Sequence, residues 1–173
     1  MRPTIPLAEW RLAVDVGATR ALTAEADFPT RDCRCDDCGR WAALYREAFP
    51  AELLEELQRV GVDPAHPSDV YTLHDDGVDR TLRLTFHVIG RILSGPADWA
   101  PSGEQSAGRN YVPYSASRHQ LGLAVWYESL QSLPTWASEV SQPLIAIDLW
   151  LNLPGEAASG GPSARRAQRR HCP

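Results

Sequence analysis

A chain of 173 residues, 43% hydrophobic and 23% charged, is long enough to bury a core and has the composition of an ordinary soluble globular protein. No apolar run approaches the roughly 18 residues of a membrane span, and the opening MRPTIPLAEWRLAV lacks a signal peptide's apolar core, so the expected setting is the cytoplasm, where cysteines stay reduced. Residues 1–154 hold 13 Arg against 21 Asp plus Glu, a net of −8, which argues against a nucleic-acid surface.

Leu12, Val14 and Val16 alternate with Ala13 and Asp15, the pattern of a half-buried strand that ends at Gly17. The residues from there to Phe28 read as a second strand or as irregular chain. Three cysteines follow within six residues, Cys33, Cys35 and Cys38. Trp41, Leu44, Tyr45 and Ala48 then recur at helical spacing, predicting a helix that begins at Asp36 or Asp37, either of which can cap it. Pro50 suits the first turn of a second helix with the stripe Leu53, Leu54, Leu57 and Val60. Gly61 supplies its left-handed stop.

From Asp69 the period changes to two. Val70 to His74 reads as a strand, and Asp75-Asp76-Gly77 as a turn. The clearest element comes next: Leu82, Leu84, Phe86, Val88 and Ile92 share one face of a long strand, with Arg83, Thr85, His87 and Arg91 on the other and Gly90 marking a bulge or bend. Residues 95–118 form a Gly-, Pro- and Ser-rich loop carrying Trp99, Tyr111 and Tyr114. Leu121, Leu123 and Val125 begin another strand. Leu130, Leu133, Trp136 and Val140 suggest a short helix broken by Pro134, and Ile145 to Leu153 alternate in a last strand closed by Pro154. The order predicts one α+β domain over residues 1–154: a mainly antiparallel sheet of about four to six strands, two consecutive helices after the first strand, and a short helix before the last. Residues 155–173, with four arginines against Glu156, read as a disordered basic tail.

Cys33-x-Cys35-x-x-Cys38 places thiolates at separations that converge on one tetrahedral ion, so zinc is the cofactor it suggests. Zinc needs a fourth ligand, for which Cys172, His66, His74, His87, His119 and the flanking aspartates are the candidates. Two other readings stand beside it. Cys35 and Cys38 at a helix start form a dithiol of redox type, although Arg31, Arg34 and Arg40 are offset by Asp32, Asp36 and Asp37, and no βαβ setting surrounds them. The bland reading packs three reduced thiols under Trp41.

Asp15-Val16-Gly17-Ala18-Thr19 resembles the strand-turn phosphate loop of sugar kinases and actin-like ATPases, but 173 residues cannot supply those proteins' two lobes, and a strand ending in a Gly turn explains the letters. His87, between Arg83 and Arg91, lies on a face that is ordinarily solvated or loop-covered.

Three elements taken together, Cys35-x-x-Cys38-x-x-Trp41, Gly61-Val62-Asp63-Pro64 leading to Ser68-Asp69-Val70-Tyr71, and Pro143 through Pro154 with its Asn152-Leu153-Pro154 ending, resemble a family of small bacterial proteins without assigned activity. The resemblance spans residues 33–154 and implies an α+β fold and a role for the cysteine pair. Cys33, and Gly155 in place of an expected Trp, depart from its pattern. No catalytic motif stands out, so the chain reads as a non-enzymatic binding or interaction domain with a zinc-type cysteine cluster at Cys33, Cys35 and Cys38. The alternatives are a thiol-disulfide redox protein using Cys35 and Cys38, and an acidic antidote-type protein that binds a basic effector as its partner.

Overall fold

In the computed structural model, which describes residues 2–25, 28–31, 33–97, 110–128, 137, 140 and 143–154, the chain opens with a hairpin of strands β1 (Thr4–Leu7) and β2 (Trp10–Val14). Helix α1 follows at Val16–Ala24, where the sequence suggested a strand or irregular chain. Asp15 explains the difference. Its carboxylate accepts from the Ala18 amide at 3.0 Å and caps the helix, so the strand stops at Val14, short of Gly17. Thr19 Oγ1 accepts from the Ile89 amide at 3.0 Å. The letters that resembled a phosphate loop are therefore spent on capping and anchoring a helix.

Helices α2 (Asp36–Ala48) and α3 (Ala51–Arg59) form the expected consecutive pair, so three helices, rather than two, follow the opening strands. Leu53 and Leu57 of α3 are fully buried. Gly61 ends that helix at φ +95°, and a Cβ there would stand 2.9 Å from the Val16 carbonyl oxygen.

The remaining strands are β3 (Asp69–Asp75), β4 (Asp79–Ser94), β5 (Val112–Pro113), β6 (Gln120–Tyr127) and β7 (Leu144–Pro154). All pair antiparallel in one curled seven-stranded sheet ordered β1-β2-β4-β7-β6-β5, with β3 also on β4. The 16-residue β4 takes β3 along its first half and β2 along its second, while β7 runs beside it from Asp79 to Ile89. Gly90 is where β2 crosses closest: an added Cβ would meet the Ala13 carbonyl oxygen at 2.5 Å.

Period-two alternation splits the sheet into two faces. Leu82, Leu84, Phe86 and Val88 join Leu123, Val125, Ile145, Ile147, Leu149 and Leu151 in the main core, against Trp41, Phe49, Leu53 and Leu57 from the helices. The short helix expected over residues 130–140 lies outside the described residues apart from Ala137 and Val140, as do Trp99 and the tail 155–173. Among the described residues no helix is long and apolar enough to cross a membrane.

Candidate metal centre

The cysteines meet at the start of α2. Cys35 is extended (φ −70°, ψ 158°) and serves as the N-cap, its sulfur accepting from the Cys38 amide at 3.5 Å. The sequence reading gave that place to an aspartate. Asp36 and Asp37 instead occupy the first turn, where negative charge suits the amide end of the helix. Asp37 also fixes α2 to β3, because its carboxylate accepts from the Thr72 amide at 3.1 Å and hydroxyl at 2.8 Å.

One turn later Trp41 is buried, donates from Nε1 to the Pro64 carbonyl at 2.9 Å, and meets the Phe49 ring edge-on at 4.8 Å. The helix start is thus held from below by packing and from the side by hydrogen bonds.

All three Sγ atoms lie within 4.8 Å of one another, with Cys38 buried and Cys33 and Cys35 half-buried. A tetrahedral zinc with bonds near 2.3 Å spaces its sulfurs by about 3.8 Å, so the cluster needs only a small contraction to seat one. Cys38 belongs to the apolar core and Cys33 and Cys35 pack against it, so the packed-thiol reading describes part of the same geometry.

The proposed fourth ligands are elsewhere. Among the described residues, no histidine, aspartate or glutamate joins the three sulfurs within that radius. His66 holds Asp63 through Nδ1 at 2.8 Å, and Asp63 also pairs with Arg31 at 3.5 Å. His74 faces Asp76 on the exposed hairpin at 3.2 Å. His119 accepts from Arg118 at 3.2 Å, and burial together with that arginine lowers its pKa. His87 is buried on the sheet. Asp32 and Cys172 lie outside the described residues.

The sheet face opposite the main core carries what the sequence reading missed. Asp148, fully buried on β7, accepts from Arg83 Nε at 2.8 Å, Tyr111 Oη at 2.6 Å and Thr85 Oγ1 at 3.1 Å, and Arg83 passes a further hydrogen bond to Tyr71 Oη at 2.7 Å. Burial works against the guanidinium charge, but Asp148 outweighs it and the Arg83 pKa is raised. Burial and then the Asp148 carboxylate hold Tyr111 protonated, and burial does the same for Tyr71 against the pull of Arg83.

Beside this group His87 lies 2.5 Å from Ser68 Oγ and 3.3 Å from Glu128 Oε1. The order resembles a hydrolase triad, and Ser68 is buried, its hydroxyl standing 2.7 Å from the Thr85 carbonyl as well as beside the imidazole. Only the period-two alternation of β4 and β7 pointed to this face, and it left the partners unidentified.

No protein-family model, curated protein or solved structure matches the chain.

Proposed function

We propose that the protein is a non-enzymatic binding or interaction domain whose cysteine cluster holds a structural zinc ion. The convergence of three sulfurs within 4.8 Å at a rigidly supported helix start carries the reading. Three thiolates repel one another, and a soft cation relieves that repulsion. Cys33, Cys35 and Cys38 would be its ligands, and the ion would tie the segment before α2 to the helix itself. The resemblance to the small bacterial family is compatible with this role, and the acidic body offers a surface for a basic protein partner.

Protein purified without chelator is expected to carry one zinc per chain and to lose it on Cys35→Ser. A metal-free protein whose Cys35 and Cys38 cycle readily through a disulfide would overturn the reading. That second, redox reading has its own support, since Cys35 sits at the amide end of the helix with Cys38 one turn in, where a neighbouring thiol can resolve an oxidised one. Thiol titration before and after mild oxidation, with metal analysis on the same sample, separates the two.

A further inference from the structure

A tetrahedral zinc takes four donors, whereas the group that converges here among the described residues is three sulfurs, those of Cys33, Cys35 and Cys38. The described histidines turn to other partners: His66 to Asp63, His74 to Asp76, His119 to Arg118, and His87 to Ser68 and Glu128. Trivalent arsenic has the complementary need. It forms three bonds in a shallow pyramid and its lone pair fills the fourth direction, so three thiols on one side complete its shell. We infer that the cluster takes arsenite, the simplest thiophilic oxyacid of this kind, in exchange for zinc. The inference rests on the zinc reading, because the same three sulfurs serve both ions.

The exchange involves no oxidation or reduction. As(OH)₃ meets the zinc trithiolate and three protons from water. Three As–S bonds form as three As–O and three Zn–S bonds break, and Zn²⁺ and three water molecules leave.

Charge and burial favour it. Three thiolates on Zn²⁺ carry a net charge of −1, whereas three on As(III) are neutral. Around the cluster Arg31, Arg34 and Arg40 cancel Asp32, Asp36 and Asp37, and Arg31 is also drawn to Asp63 at 3.5 Å. The segment therefore supplies no net positive charge to offset an anionic centre. Cys38 lies in the apolar core and Cys33 and Cys35 pack against it, where a neutral complex avoids the desolvation that a charged one incurs.

The chain can also tighten around the smaller ion. Cys38 is buried and held within α2, but Cys33 and Cys35 precede the first helical residue and are half-buried. Rotation of those two side chains closes the cap, and their exposed sides admit the reagent. Cys33 is the sulfur that turns a dithiol into a three-sulfur cap.

The test adds sodium arsenite to the zinc-loaded full-length protein. Released zinc is read with a coloured chelator, bound arsenic by mass spectrometry, and the neighbours of arsenic by X-ray absorption. The wild type should release one zinc for each arsenic bound and show three As–S bonds. Cys33→Ser should show two and bind arsenite about 100-fold or more weakly, since a further tethered donor multiplies affinity by that order. Zinc retained under excess arsenite would overturn the inference and leave the zinc reading intact. So would arsenic held by two sulfurs in the wild type and indifferent to Cys33→Ser, which is the behaviour of the Cys35 and Cys38 dithiol alone. A wild type that never takes up zinc removes both.

Discussion

Two clusters of chemically active side chains lie on opposite faces of the same sheet, and they are built on different terms. Around Asp148 every element is complementary: a carboxylate is met by a guanidinium, a phenol and a hydroxyl, and Tyr71 meets the outer edge of the guanidinium. Around Cys38 the elements are alike, three sulfurs turned towards one another. The first arrangement is complete with protein atoms, as a structural network must be at full burial. The second gathers groups of one kind, which makes sense when the complementary charge is a cation. A perturbed titratable group is a poor guide to function without this distinction.

The largest effect is expected on the complementary side. Asp148→Ala strands the Arg83 charge in the sheet and should cost about 3–5 kcal/mol in urea unfolding. Replacing both partners, Arg83→Met with Asp148→Leu, should recover most of that loss. A double variant as unstable as the single one would show that the network contributes more than charge compensation.

Removing metal from the thiol side should have the next largest effect. With free zinc at about 100 times its dissociation constant, binding adds about 2.7 kcal/mol to stability. Chelation should remove that increment in the wild type and change nothing in Cys35→Ser. Equal chelator sensitivity in the two proteins would break the contrast between the faces.

Trp41→Phe should cost about 1–3 kcal/mol, because the Pro64 carbonyl loses its buried donor. It should also weaken metal retention, since the same ring supports the turn that carries Cys38. Unchanged retention would show that the helix start is held by Asp37 and Thr72 alone.

The smallest effect is alkaline. Burial, and then Glu56, push the Tyr114 pKa up to about 12, and burial first of all raises Tyr71 and Tyr111 as well. Each phenol keeps its proton longer when folded than when unfolded. Their contribution is therefore intact below about pH 10 and lost as pH climbs towards 12. Tyrosinate absorbance should show these three titrating late in the native protein. If Asp148→Ala leaves Tyr111 late, burial alone is the cause.

What the sequence disclosed follows from range. Period-two alternation marked β4 and β7 because each strand carries its own pattern, and Leu53, Leu57 and Gly61 marked α3 and its stop. The hairpin's first strand escaped notice because Thr4–Leu7 is short and contains Pro6, a residue that edge strands tolerate. Helix α1 escaped because VGATRALTA has only a narrow buried stripe, Thr19, Leu22 and Thr23, two of them polar. The cysteine cluster was visible because its spacing is local. The Asp148 network was not, since its members are 37 to 65 residues from Asp148 or joined only through Arg83, and no spacing rule links residues that meet only after three strands have paired.

The length of β4 also sets a schedule for synthesis. Its partners β2 and β3 precede it in the chain, but β7 begins at Leu144, fifty residues after Ser94. Until the ribosome has extruded β7, β4, the longest of the described strands, presents an open edge. Late pairing of this kind slows folding, and it makes a chain stalled before Leu144 a natural client for chaperones and proteases.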